Sequence, residues 1–174
     1  MSDSASSHRL TRSTATSRFR VHDNVHVPEN DHDPPREISS QVLTQFGFAH
    51  GWRMAEAMQA QFKWENDDEW RRAGTRIHAL EGLFRVEPGS NGPLSKQGVM
   101  LVASYEEEQH LLHFGRCDVA VCWTICGLTS GYLSRSAGKE NYVLEDRCMG
   151  KGDAACQLFG RTREEWGDDR TEEL

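Results

Sequence analysis

The sequence predicts an α+β domain in which helices pack on an antiparallel sheet. Stretches with helical spacing of apolar residues alternate with pairs of short, strand-like stretches, in the order helices, hairpin, helices, hairpin. Strands joined by short turns pair antiparallel, and helices grouped around them give this class. The chain has 174 residues, which is enough for one domain with its own core.

Two helices are predicted in the first part of the domain. Apolar residues of 37–62 recur close to a helical period, which indicates a long amphipathic helix with a bend near Gly47 and Gly51. Asn66 is followed by three acidic residues, which is typical of an N-cap with acids at the positive end of the helix dipole. The second helix should therefore begin after Asn66 and run to about Leu80.

The remaining elements follow from turn residues and alternation. Residues 82–88 alternate as a strand, a turn rich in glycine and proline follows, and residues 99–102 form an apolar strand that should pair with the first. Ser104 is a candidate N-cap for the next helix. We expect that helix to end at Gly115 and a central buried helix to follow over 119–136. Strands are expected over 141–148 and 155–160, and a short, fraying helix within 161–174.

The two ends of the chain differ in composition from the middle. Residues 1–36 are rich in Ser, Thr, His, Asp and Pro, so we expect a disordered tail, and residues 167–174 form a charged tail. The net charge of -7 is unfavourable for binding phosphate, and no apolar run is long enough to span a bilayer. Without a secretory signal, we expect a cytoplasmic protein that binds neither nucleic acid nor membrane.

The stretch from 145 to 156 is the most informative part of the sequence. Cys148 and Cys156 flank a loop with two glycines, which can fold back and bring the thiolates together, and Glu145 adds a carboxylate. A tetrahedral zinc site would need one more ligand, and the cysteine-rich segment 117–126 is nearby. A disulfide would require an oxidising compartment, and the five cysteines would leave one unpaired. Burial as small apolar residues is the third interpretation.

From residue 36 onward, five signatures occur in the order found in a known family. They are residues 75–82 with His78, the triplet Ser104-Tyr-Glu, Cys122-Trp with Gly127, Ser130-Gly-Tyr132, and Glu145-x-x-Cys148 with Cys156. Together they resemble the sensor region of XylR/DmpR/MopR-type aromatic-responsive transcriptional activators, which ends in a 4-vinyl reductase-like subdomain. The resemblance implies a XylR-type amino-terminal sensor part over residues 37–103 and a zinc-binding, 4-vinyl reductase-like subdomain over residues 104–166.

The resemblance also implies the metal ligands. Spacing alone leaves Cys122 and Cys126 as equal candidates, because they lie four residues apart on one predicted helix face. By the family pattern, a structural Zn²⁺ would be held by Cys122, Glu145, Cys148 and Cys156. Three thiolates and one carboxylate would carry net negative charge, so we expect backbone amides of the loop between Cys148 and Cys156 to donate to them.

A buried pocket for an aromatic or phenolic ligand is implied as well. The ligand-binding histidine of the family falls on His78, and an aromatic pocket residue falls on Tyr132. Where phenol-sensing members carry a tryptophan, this chain has Leu101. Loss of the indole N–H donor leaves more room and fewer polar contacts, so the preferred ligand is expected to be larger or less polar than phenol.

The expected function is therefore that of a regulatory small-molecule sensor that forms a homodimer. It either acts through a separate output protein or is left over from a longer activator. It is not expected to be an enzyme, because the four ligands would fill the zinc tetrahedron and leave no position for water. The sequence has no Gly-x-x-x-x-Gly-Lys-Ser/Thr loop, which indicates a stand-alone sensor without ATPase or DNA-binding activity. The alternative is an accessory protein of tetrapyrrole or bacteriochlorophyll metabolism related to 4-vinyl reductase.

Overall fold

The structure, a computed structural model, describes residues 34–88, 90, 94, 96, 98–167 and 170, with side chains from Ile38 onward. The predicted disordered tail lies outside the described residues except for 34–36, and the predicted charged tail does so except for 167 and 170. The elements are α1 (Pro34–Gln61), α2 (Asp67–Leu80), β1 (Phe84–Val86), β2 (Val99–Ser104), α3 (Tyr105–Phe114), α4 (Trp123–Ala137), β3 (Tyr142–Arg147), a 3₁₀ turn (Met149–Lys151), β4 (Cys156–Arg161) and α5 (Arg163–Trp166).

The described strands form one antiparallel sheet in the order β1-β2-β4-β3. The predicted first hairpin is confirmed, since β1 pairs with β2. The predicted second hairpin is also confirmed, since β3 pairs with β4. Helices combined with this sheet confirm the α+β class. Because β2 pairs with β4, the sheet runs across the predicted boundary between residues 103 and 104.

Two helices begin at side-chain caps that the sequence indicates. The side chain of Asn66 accepts a hydrogen bond from the backbone N–H of Glu69 at 2.9 Å, at the start of α2. Ser104 Oγ accepts one from the third residue of α3 at 3.3 Å. Each bond satisfies a backbone donor that has no partner within its helix. The predicted starts of both helices, and the predicted ends at Leu80 and Gly115, are confirmed.

Gly47 and Gly51 of α1 lie within one uninterrupted helix, where they form a contact surface for α4. A Cβ atom on Gly47 would overlap the carbonyl oxygen of Thr124, and one on Gly51 would overlap that of Leu128. The two glycines that suggested a bend therefore have a packing role. They allow the backbones of two helices to approach more closely than any other residue would permit.

The same arrangement occurs on the facing helix. A Cβ on Gly127 would overlap the carbonyl oxygen of Thr44, and one on Gly131 would overlap that of Phe48. Contacts advance along α1 and α4 in the same direction, so the two helices run parallel. Each contributes a Gly-x-x-x-Gly pair, and the two pairs interlock.

The central helix begins later than predicted. Residues 119–122 are not helical, and α4 begins at Trp123 with Cys122 as its N-cap. Cys122 makes no side-chain capping bond. Instead, the carboxylate of Glu106 on α3 accepts hydrogen bonds from the backbone N–H groups of Thr124 and Ile125, at 2.9 and 3.1 Å. The first turn of α4 is thus capped from another helix, which the sequence alone did not indicate.

A short helix, α5, lies where one was predicted near the carboxyl end. A capping box of Thr162 and Glu165 starts α5, and Trp166 is buried. The Trp166 indole N–H donates to the carbonyl oxygen of Tyr142 at 2.9 Å, which attaches α5 to β3. Burial of an indole with its N–H paired accounts for the order of this segment.

None of the helices in the described part of the chain combines the length and apolar character that crossing a membrane requires.

The contact between α1 and α4 predicts that Gly131→Ala destabilises the protein. In an exposed helix this change would stabilise by up to about 1 kcal/mol, but here the new methyl group would force the helices apart. We expect a loss of about 1–3 kcal/mol in the free energy of unfolding, measured by urea denaturation. Gln45→Ala, at an exposed position of α1, is the control and should leave stability nearly unchanged. A Gly131→Ala protein as stable as the wild type would contradict the close approach.

Candidate metal centre and the buried His78 site

Four side chains from distant parts of the chain meet in one buried cluster. The Sγ atoms of Cys122, Cys148 and Cys156 and a carboxylate oxygen of Glu145 all lie within 4.8 Å of one another. Cys122 comes just before α4, Glu145 from β3, Cys148 from the start of the 3₁₀ turn and Cys156 from the first position of β4. The structure thus brings together the four residues of the predicted metal set.

The loop between β3 and β4 is shaped so that its two cysteines face the same point. Gly152 has a φ of 101°, a left-handed conformation that side chains other than glycine rarely adopt. The backbone N–H of Cys148 donates to the Asp153 carboxylate at 2.8 Å, which closes the turn. A Cβ on Gly150 would lie 3.3 Å from the Cys148 sulfur and 2.9 Å from Val121, so only glycine fits there without displacement.

The other two cysteines lie outside the cluster. Cys126, which spacing alone could not separate from Cys122, is buried one turn further along α4. Cys122 and Cys126 are not equivalent because Cys122 precedes the helix rather than belonging to its face. The Cys117 thiol donates to the carbonyl oxygen of Val119 at 3.2 Å. The choice of Cys122 agrees with the resemblance rather than with any rule of helix periodicity.

Protonation in the cluster is strongly shared. Hydrogen bonds from Cys122 and Cys156 lower the pKa of the Cys148 thiol. Hydrogen bonding to Cys148 and Cys156, together with burial, raises the pKa of Cys122. Burial is also the main reason why the pKa of Glu145 is raised to about 7. The opposite directions of these pKa shifts are the behaviour of ionisable groups brought close together, where one group ionises at the expense of its neighbours.

The donor set fits a divalent metal ion. Glu145 Oε2 accepts a hydrogen bond from the backbone N–H of Cys122 at 3.1 Å, whereas Glu145 Oε1 is buried and has no hydrogen-bond partner among the described residues. A buried carboxylate oxygen without a partner is costly, and a cation would satisfy it. The predicted loop donors are also present. The backbone N–H of Met149 donates to the Cys156 sulfur at 3.5 Å, and that of Gly150 donates to Cys148.

A second buried site lies along one face of α2, where Trp70, Gly74 and His78 are spaced four residues apart. The Tyr132 ring packs on this face. A Cβ on Gly74 would lie 2.6 Å from that ring, so the glycine makes room for it. The Tyr132 hydroxyl donates to the carbonyl oxygen of Trp70 at 2.8 Å, and burial raises the pKa of the phenol to about 12. Tyr132 is therefore a neutral aromatic wall beside His78.

His78 presents one ring nitrogen to a partner and leaves the other without one. Nδ1 lies 3.4 Å from the carboxylate of Glu81, whereas Nε2 is buried with no hydrogen-bond partner in the described structure. Burial lowers the pKa of His78, partly offset by Glu81, so the ring is neutral at pH 7. In the neutral ring, the proton on Nδ1 is donated to the Glu81 carboxylate. Nε2 then carries no proton and can accept a hydrogen bond.

The structure brings His78 and Tyr132 together, with ring centroids 5.8 Å apart in an edge-on arrangement. Leu101 is fully buried in an adjoining apolar cluster that also contains Phe84, whose ring lies 6.0 Å from that of His78. Sequence reasoning did not single out Phe84 or Trp70 for this site. The eight-residue spacing from Trp70 to His78 indicated that both lie on one face of α2. The same spacing is typical of ordinary core residues, so a ligand site can be recognised only when the side chains that pack on this face are known.

Comparison with known proteins agrees with this architecture. Residues 36–91 match the family model described as an activator of aromatic catabolism. The chain is 30% identical over 137 residues to the transcriptional regulatory protein XylR of Pseudomonas putida and 29% identical over 136 residues to the phenol regulator MopR of Acinetobacter guillouiae. The chain is homologous to the sensor region of XylR-type activators. It spans about a quarter of the length of these two curated relatives, 24% of each.

A solved structure supports the same relationship for the XylR-type region. The crystal structure of the phenol-responsive sensory domain of the transcription activator PoxR, determined with phenol, matches with a TM-score of 0.66 and 27% sequence identity. The match covers 78% of this chain and 70% of the PoxR chain. The relatives are thus regulators of transcription, and one of them is a sensory domain.

Metal content should distinguish Cys122 from Cys126. We expect Cys122→Ala to lose most of its bound metal and to melt at a lower temperature, because a removed ligand opens a buried anionic cluster. Cys126→Ala is the matched control and should retain the metal. The measurement is metal per chain by mass spectrometry after loading with Zn²⁺ and dialysis, paired with thermal melting.

A strong chelator extends this test to the unaltered protein. It should lower the melting temperature and the helical circular dichroism signal of the wild type, because the cluster joins α4 to the second hairpin. Equal metal content in both cysteine variants, or an unchanged melting curve after extraction of the metal, would contradict the assignment.

Proposed function

We propose that this chain is a ligand-sensing domain that binds an aromatic hydroxyl compound at His78 and holds a structural zinc ion at Cys122, Glu145, Cys148 and Cys156. The observation that carries the proposal is the buried, partnerless Nε2 of His78 beside two aromatic rings. Similarity to a phenol-responsive sensory domain supports the same ligand class.

The chemistry of His78 selects a hydrogen-bond donor. With the Nδ1 proton directed at Glu81, the Nε2 lone pair can accept an O–H but cannot donate. An unsatisfied buried acceptor costs about 1–3 kcal/mol, which a bound hydroxyl would relieve. Phe84 and Tyr132 would flank the ring of the ligand, since both lie within about 6 Å of His78 by ring centroid.

Leu101 would favour a ligand with a larger apolar part over a smaller, more polar one. Its side chain is fully buried and offers dispersion contacts but no hydrogen bond. The ligand would then be held by one polar contact at His78 and by apolar packing elsewhere. Alkylated phenols fit this combination better than phenol itself.

The closed form of the site suits a sensor. His78 and Tyr132 are each 2% exposed, so a ligand could reach Nε2 only after side chains move. A ligand that binds only the rearranged form shifts the population toward it, which is how binding becomes a signal. An output element, on the same polypeptide or on a separate protein, would respond to that shift.

Zinc would have a structural role in this arrangement. Three thiolates and one carboxylate would supply all four ligands of a tetrahedral zinc ion, which would leave no position for a reacting water. Cys156 pairs with Leu101 in the β2–β4 ladder, so a metal ion would hold in place the strand that carries Leu101. Zinc would therefore stabilise the strand that borders the ligand site rather than act on the ligand.

A thermal-shift and calorimetric screen tests the ligand class. Phenol and alkylphenols should stabilise the wild type, whereas toluene, which has the ring without the hydroxyl, should do so less. His78→Ala should weaken phenol binding about tenfold, corresponding to the loss of one buried hydrogen bond. The matched control is His113→Ala, an exposed histidine on α3 that should bind as the wild type does.

Two results of that screen would refute the proposed ligand class. One is equal stabilisation by phenol and toluene. The other is unchanged phenol affinity in His78→Ala. Biphenyl, included in the same screen, reports whether the site accepts two linked rings. Sedimentation of the same samples checks the homodimer implied by the resemblance, which a single-chain mass at micromolar concentration would contradict.

The pH dependence of binding follows from the lowered pKa of His78. Protonation would occupy Nε2 and remove the acceptor, so the affinity should fall as pH decreases through the pKa in the folded protein. Because burial places that pKa below the ordinary value of about 6.5, the midpoint of the decline should lie below pH 6.5. Calorimetry at a series of pH values would contradict the assignment if the decline were centred above pH 7.

A further inference from the structure

Ser104 occupies the junction between the sheet and α3, in direct contact with the cysteine cluster. It is the last residue of β2 and the N-cap of α3, and its side chain is completely buried. Its hydroxyl oxygen lies 3.2 Å from the Cys122 sulfur and 3.3 Å from the backbone nitrogen of Glu107. The sequence indicated only the capping role.

The direction of these two hydrogen bonds follows from the chemistry of the partners. The N–H of Glu107 can only donate, so Ser104 Oγ accepts there. The hydroxyl proton is then available for the sulfur atom. A thiolate bound to a metal carries no proton and can only accept, so the contact with Cys122 becomes an O–H···S hydrogen bond.

We propose that Ser104 is a positioning residue of the metal centre, which donates a hydrogen bond to the Cys122 thiolate and raises the affinity of the site for its metal. The inference rests on the proposed zinc site and adds a group that does not itself touch the metal. Three thiolates and one carboxylate around a divalent ion leave excess negative charge, and hydroxyl and amide donors to sulfur disperse it. Cys148 and Cys156 receive backbone donors, whereas Cys122 receives the Ser104 hydroxyl.

The position of Ser104 also connects the metal centre to the ligand site. In the β1–β2 ladder, Ser104 pairs with Phe84, whose ring lies 6.0 Å from that of His78. The backbone N–H of the next residue, Tyr105, donates to the carbonyl oxygen of Leu83 at 2.9 Å. A metal-bound Cys122 would thus anchor the strand end against which the aromatic wall of the His78 site is built.

The test separates metal positioning from helix capping. Ser104→Ala removes both the hydroxyl donor and the cap. Ser104→Gly removes the donor but leaves a residue that is nearly as good at a helix start, and Ser104→Thr retains both functions. Ser130→Ala is the matched control, because Ser130 is a buried serine of α4 whose hydroxyl bonds to Cys126 and Val143 backbone groups and not to the cluster.

Two measurements report on the metal rather than on stability. The first is the Zn²⁺ dissociation constant, measured by competition with a chromophoric chelator. The second is the sulfur-to-metal charge-transfer band of the Co²⁺-substituted protein. Ser104→Ala and Ser104→Gly should bind Zn²⁺ about tenfold more weakly. Their band should move to longer wavelength, because a thiolate without its donor gives up an electron more easily.

Ser104→Thr should retain the Zn²⁺ affinity and the charge-transfer band of the wild type. Ser130→Ala should also retain both, even if its melting temperature falls. Wild-type affinity and band position in Ser104→Gly would overturn the inference while leaving the zinc site intact. A wild-type protein that binds neither Zn²⁺ nor Co²⁺ would overturn this inference and the proposed zinc site together.

Discussion

The close approach of α1 and α4 is the constraint on which both functional regions depend. Four glycines remove the side chains that would separate the two backbones, which are in close contact where residues 44–52 of α1 meet residues 124–132 of α4. As a result, α4 has one defined position. Cys122 precedes its first turn, and Tyr132 lies in its third, so the same helix contributes to the cysteine cluster at one end and to the His78 site further along. Backbone contact of this kind is sensitive to a single methyl group, because carbonyl oxygens cannot move aside as side chains can.

The cysteine cluster gathers four ionisable side chains in the interior, and the surrounding groups donate hydrogen bonds to it. Donors come from the 3₁₀ turn, from the start of α4 and from the hydroxyl of Ser104. Acidic groups of α3 approach the same region, where Glu106 caps α4 and burial raises its pKa. Such a concentration of acids and thiols in a core is unfavourable unless a cation or protons balance it. The protein therefore has a physical reason to bind a metal ion that goes beyond the geometry of its ligands.

The sheet places the two regions side by side. Leu101 and Cys156 are opposite each other in one ladder, and Phe84 and Ser104 are opposite each other in the next. A displacement of β1 or β2 at the His78 site would therefore also move a residue that contacts or belongs to the cysteine cluster on the neighbouring strand. The proposed ligand site and the cysteine cluster share the same strands, so a ligand bound at His78 would be coupled to the stability of the domain.

Local chemistry in the sequence determined most elements of this protein. The Asn66 and Ser104 caps, the glycine at the end of α3 and the alternation of the strands depend on neighbours a few residues away, and the helices and hairpins appear where these signals predict them. The pair Cys148 and Cys156 was evident for the same reason, since a glycine-containing turn joins them. Tertiary structure alone decided the rest. It placed Cys122 before the first turn of α4 and made a contact surface of Gly47 and Gly51. It also buried Trp166 and placed Ser104 beside the Cys122 sulfur. Each of these outcomes depends on a partner between 18 and 77 residues away, and no periodicity in one segment can report which distant backbone or side chain will come to lie against it.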